Sequence, residues 1–209
     1  MIRASSILIL YSTGLLLCMA CNNEAVRKKD DHKSHQHTAA GPDGYADSVN
    51  AGLIASDTLK GSPRRLAMDN IGGAHIHIEY GSPGVKDRII WGGLVPYDKV
   101  WAAGAHSATS INFSSEVLVG DKPVPPGKYA FFIIPGRERW IAILNKNYQQ
   151  HLADDYTPDE DVLRMEIVPA KLEKPVPRLT YFVKAKDKNT GEIIMQWEKA
   201  EIRIPVSAK

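Results

Sequence analysis

The sequence predicts an all-β body: an antiparallel β-sandwich or jelly roll of about ten short strands. Three observations carry this reading. Runs rich in β-branched and aromatic residues recur at short intervals from residue 74 onward. Turn signals such as Gly81-Ser-Pro-Gly84 and Lys188-Asn-Thr-Gly191 separate them. No long stretch keeps a helical period. Strands without intervening helices bury a face by packing sheet on sheet.

The chain of 209 residues does not begin with that body. Residues 1–20 carry Arg3 and then an apolar run ending in "LLLCMA". The run is short of the roughly 20 apolar residues of a membrane span and reads as a secretory signal. Small Ala20 directly precedes Cys21. A cysteine in that place resembles a bacterial lipobox, which implies cleavage before Cys21 and diacylation of its sulfur. The two cysteines are Cys18 and Cys21, so the expected mature chain keeps one, carrying lipid, and no disulfide. Several acyl chains on one residue give stable anchoring where a single chain is marginal. The expected location is a membrane of the bacterial cell envelope, on the periplasmic face or the outer membrane.

Lys and Arg total 26 and Asp and Glu 24; removal of Arg3 leaves 25 against 24. A near-neutral mature chain has no electrostatic reason to bind nucleic acid. Residues 22–44 are polar and end in Gly41-Pro-Asp-Gly44, too poor in apolar surface to offset chain entropy. Residues 21–64 are accordingly expected to be a flexible linker, with a reach of roughly 30–40 Å for a coil of that length. His32, His35 and His37 lie within it, as a weak metal-holding cluster or as part of a soluble spacer. A short helix is expected at Ala46–Ile54, broken by "GSPRR".

The body proper is expected over 65–209. Its strands, in order, are "AHIHIEY", "VKDRIIW", "TSINF", "EVLV", "KYAFFIIP", "WIAILNK", "DVLRMEIV", "RLTYFVKAK", "EIIMQWEK" and "EIRIPV". Apolar residues on both faces of "YAFFII" mark a central strand. Ile202, Ile204 and Val206 alternate with Glu201, Arg203 and Pro205, so that strand has a wet side. One short helix is expected within 145–160.

The ordered run "EYGSPGVKDRIIWGGLVPYDKVWAAGAHSATSINFS", "PPGKYAFFIIP", "WIAILNKN" and "DVLRMEI" resembles the bacterial domain-of-unknown-function family numbered 2911. Its members are mostly exported proteins of Bacteroidota. The resemblance covers roughly 65–206 and implies no activity. Where the family usually reads W-R-x-G-A-N-E-A-T, this chain has Ala102, His106 and Ser107 in place of Arg, Asn and Glu.

Candidate sites follow from strand geometry. In "AHIHIEY" side chains alternate, so His75, His77 and Glu79 share one face. Two imidazoles at i and i+2 can converge on one ion, and imidazole suits zinc or copper. A third nitrogen would come from His106, with His151 a weaker choice, giving a metal set of His75, His77 and His106. The alternative is a solvent-facing row. A cupin-type set is incomplete, because the turn Pro125-Pro126-Gly127 is not followed by the required histidine. In the loop 91–109, Trp101 with Arg88 and His106 could line a ligand pocket, or Trp101 could plug the core.

Enzyme chemistry has thin support. His106 and Ser107 are sequence neighbours whose side chains diverge on an extended chain. No Gly-x-Ser-x-Gly elbow or phosphate-cradling glycine loop is present. The expected function is an envelope-anchored binding module for a transition metal or small ligand. The alternative is an interaction module within an envelope protein assembly.

Overall fold

The computed structural model describes residues 42–209; the signal segment, Cys21 and the His32, His35 and His37 cluster lie outside the described residues. The elements run α1 (Pro42–Asn50), β1 (Arg64–Ile71), β2 (Ala74–Gly81), β3 (Thr109–Phe113), β4 (Val117–Val119), β5 (Lys122–Val124), β6 (Gly127–Ile134), β7 (Trp140–Asn145), a 3-10 turn (Pro158–Glu160), β8 (Asp161–Ile167), β9 (Ala170–Ala185) and β10 (Thr190–Ala208). They form two antiparallel sheets, ordered β1-β2-β3-β6-β7-β8 and β5-β4-β10-β9. This is the β-sandwich the sequence predicts.

Alternation decides the faces. Ile76 and Ile78 of β2, Ile111 and Phe113 of β3, and Phe131 and Ile133 of β6 point inward and are buried. They meet Leu179, Tyr181 and Val183 of β9 and Ile193, Met195, Ile202 and Ile204 of β10 in one core. The expected central strand lies inside its sheet, between β3 and β7. Its outer face, Ala130 and Phe132, is covered by a second apolar cluster that includes Ala102, Ala108 and Ile143. The loops 100–108 and 147–156 therefore cap part of the larger sheet.

All four tryptophans meet at one place in the core. Trp101 stacks on Trp197 with ring centroids 5.5 Å apart, and Trp91 lies 4.4 Å from Trp140 and 5.8 Å from Trp197. Such ring pairs contribute beyond their buried area.

β10 is long because it doubles back. Arg203 donates to Glu192 at 2.8 Å, and the Ala208 N–H donates to the Asn189 carbonyl at 2.8 Å. Eleven residues of straight strand would separate Glu192 and Arg203 by about 36 Å. The reversal falls at Glu198, which has φ 53 and a register shift on either side of it. The expected strands "EIIMQWEK" and "EIRIPV" are its two limbs.

Three expectations change. "VKDRIIW" forms no strand, because Lys86 and Asp87 take positive φ (46 and 57) and the chain turns there. β1 arises from the stretch 64–71, whose inward row of Arg65, Ala67, Asp69 and Ile71 has too few large apolar side chains to signal a strand. β5 is three residues long and holds Pro123, which an edge strand tolerates.

The helix α1 starts four residues before the expected Ala46, and residues 45–61 lie against the body. Ala46 and Val49 are buried. The Asn50 side chain pairs with both the N–H and the carbonyl of Arg178, at 2.8 and 3.0 Å. Residues 158–160 supply the short helical turn expected within 145–160. Among the described residues no helix is long and apolar enough to cross a membrane.

Candidate functional site: a polar cleft at the end of β2

The outer face of β2 carries His75, His77 and Glu79, each half-buried, while Ala74, Ile76, Ile78 and Tyr80 are buried on the inner face. Antiparallel register places Asn70 opposite His75, Met68 and Asn112 beside His77, and Leu66 and Ser110 beside Glu79. The polar face expected from the sequence is therefore present; Asn70, Ser110 and Asn112 extend it, while Met68 and Leu66 of β1 border it with exposed apolar side chains.

Glu79 is its electrostatic centre. Arg64 donates to its Oε2, and Lys128 Nζ lies 3.3 Å from the same oxygen. Burial alone raises the carboxyl, but Arg64 and Lys128 outweigh it and hold Glu79 below the ordinary carboxylate range. His77 Nε2 stands 3.9 Å from Glu79 Oε1; this nitrogen is buried and makes no hydrogen bond among the described residues.

The far wall is the loop 103–108. It can approach β2 because residue 81 is glycine: a Cβ there would lie 2.3 Å from the Ala105 carbonyl oxygen. Tyr181 and Thr109 donate to the Ala103 carbonyl at 2.7 and 3.0 Å and fix the start of the loop. Burial pushes the Tyr181 phenol well above its ordinary value, so it remains a donor. The carbonyl of His106 accepts from Leu152, and Ala108 donates to Gln150. Held at both ends, the loop turns at His106, whose φ is 68.

Between loop and strand lies a cleft of about 90 Å³. Arg64, Glu79, His106, Ser107, Ser110 and Ser62 supply its polar lining. Drug-sized ligands need roughly 300–1,000 Å³, so this cleft admits a group of a few heavy atoms. Arg64 and Lys128 bring two positive charges against the one negative charge of Glu79.

The residues singled out from the sequence separate into two places. His75 and His77 are neighbours with ring centroids 6.4 Å apart. His75 is engaged sideways, its Nδ1 lying 3.1 Å from Asn70 Oδ1. His106 instead lines the cleft beyond Glu79. Among the described residues no group of three or more His, Cys, Asp or Glu side chains is placed to hold a metal ion, so the structure does not assemble the set His75, His77 and His106. His151 pairs with Asp154 at 2.9 Å. Arg88 donates to the carbonyls of Gly84 and Val85 and so braces its own turn. Trp101 sits in the tryptophan cluster and donates to the Gly104 carbonyl at 3.2 Å. Of the expected ligand-pocket residues, the cleft keeps His106.

The sequence alone does not disclose Arg64 as the partner of Glu79, nor Ser62, Ser107 and Ser110 as lining of the same cleft. Ser110 carries a usable signal, since it lies on the outer face of β3 and pairs with Glu79. Arg64 and Ser62 need the existence of β1 to be known first.

Residues 62–206 match the model of the family described as "Protein of unknown function (DUF2911)". The chain belongs to that family. The matched DUF2911 unit contains both sheets, the tryptophan cluster and the cleft; it begins at Ser62, after α1. Neither the curated proteins nor the solved structures contain a match to the chain.

Proposed function

We propose that this protein is an envelope-anchored lipoprotein whose β-sandwich is a binding module. Its recognition element is the cleft between Arg64, Glu79, His106 and Ser107, and its ligand is a small carboxylate or a carboxylate-bearing group protruding from a larger molecule. The observation that supports this best is the charge arrangement. Arg64 lines the cleft, and Lys128, outside the cleft lining, also pairs with Glu79, so the Arg64 charge is not cancelled and a second carboxylate in the cleft is favoured, with serine hydroxyls at hand as donors. The size of the cleft favours capture of an end group over turnover of a large substrate. Anchoring rests on Ala20-Cys21 following an apolar run.

Isothermal titration of the purified protein with acetate, succinate and methylammonium tests the binding reading. Saturable binding of the carboxylates, weakened at least fivefold in Arg64→Ala and in Ser107→Ala, is the expected result. Preference for methylammonium, or binding unchanged in both variants, contradicts it.

A further inference from the structure

Two arginines on the DUF2911 unit are buried yet find much of their pairing outside it. Arg178 is 0 % exposed and Arg65 is 4 % exposed. Arg178 Nη2 donates to Asp57 Oδ1 at 2.9 Å and to the Leu59 carbonyl at 2.8 Å, and its guanidinium lies over the Tyr45 ring at 5.7 Å. Arg65 pairs with Asp47. Every one of these partners falls within residues 42–61, before the family match begins at 62. A seat built into the unit is thus filled by a segment from outside it.

The seat is shaped for that segment. A Cβ on Gly84 would lie 2.3 Å from Asp57 Oδ2, so the carboxylate occupies the space a side chain would take. Asp47 and Asn50 lie one helical turn apart on α1, on one face with buried Ala46, and reach Arg65 and Arg178 together. The fit is incomplete, however. Asp57 Oδ2, Arg65 Nε and Arg178 Nε are buried without a hydrogen-bond partner among the described residues. A buried polar junction with open valences is worth less than a fully paired one. The segment joins β1 through Gly61 (φ 77), Ser62 and Pro63, a short connection able to serve as a hinge.

We propose that residues 42–61 are a releasable latch seated in a two-arginine groove, and that the latch of a second copy of this chain can take the same seat. The second copy is the occupant argued for because its Asp47, Asn50 and Asp57 are complementary to the groove by identity. Exchange of an identical element is a low-cost route to dimers. This inference is independent of the cleft at β2.

The test uses the full mature chain and a fluorescein-labelled peptide of residues 42–61, which stands in for the second copy's latch. Asp57→Asn weakens the resident latch and leaves the groove intact. Fluorescence anisotropy is expected to show saturable binding to the Asp57→Asn chain at least tenfold tighter than to the native chain. Adding Gly84→Ala should weaken that binding, and Ser107→Ala should leave it unchanged. Asp47→Asn serves as a second weakened latch. Absence of saturable binding to both folded variants overturns the proposal, as does equal binding to native chain and variants. Loss of the β-sheet circular dichroism in both variants also overturns it, because the latch is then an integral part of the core.

Discussion

At the scale of single residues, Glu79 and Arg178 show how burial and pairing compete. The Glu79 carboxyl is lowered in the folded protein, as are those of Glu192 and Glu201; for each, burial raises the value and is outweighed, by Arg64 and Lys128 at Glu79, by Lys186 and Arg203 at Glu192, and by hydrogen bonds from Gln196 and Arg203 at Glu201. A lowered folded value means stability fully present above the unfolded value of about 4.5 and lost as pH falls through the folded one. Melting temperature is therefore expected to drop as pH is lowered below about 4.5, with a shallower drop in Glu79→Gln. Melting curves from pH 3 to 7 check this; identical slopes for the two proteins would refute it. Arg178 is a harsher case, since it is fully buried and its removal leaves Asp57 and the latch without their shared partner. Arg178→Met is expected to free the latch, with Asp57 solvated, and to cost about 1.5–3 kcal/mol in urea unfolding for the lost charge-assisted hydrogen bonds. His106 shows what the sequence does not disclose alone. Its backbone is left-handed, a conformation histidine adopts more readily than most residues.

At the scale of elements, two-residue alternation made much of the larger sheet legible. The row His75, His77 and Glu79 could be placed on one face from spacing alone, and the outer side of that strand is polar as expected. β1 was hidden because its inward row includes Arg65, whose burial depends on Asp47 and Thr180 far along the chain. The cleft was hidden for a similar reason. Only folded contact between Gly81 and Ala105 brings His106 to Glu79 and away from His75 and His77. Gly81→Ala is accordingly expected to push the 103–108 loop outward, lowering stability by about 1–3 kcal/mol and weakening carboxylate binding together. Denaturant titration and calorimetry on the same variant check both. The tryptophans are different, because a core position for Trp101 is one expectation from the sequence, and Trp101 stacks on Trp197. Trp197→Ala is expected to cost about 3–5 kcal/mol, since its removal leaves a cavity against Trp91 and Trp101.

At the scale of the whole molecule, a sandwich that folds without disulfides is consistent with a chain whose two cysteines both lie at its beginning. Metabolic labelling with palmitate tests the proposed anchor: label and membrane association are expected in the native protein and absent in Cys21→Ser. The β-sandwich supplies a rigid platform, and the binding reading needs the charge balance at one end of one strand to be productive. The most direct measurement is a ¹⁵N–¹H NMR titration of the Cys21→Ser protein with succinate, residue by residue. Saturable shifts centred on the amides of Ala105, His106, Ser107 and Glu79, lost in Arg64→Ala, are the predicted result. Shifts that fail to saturate, or that centre away from this cleft, would contradict the account.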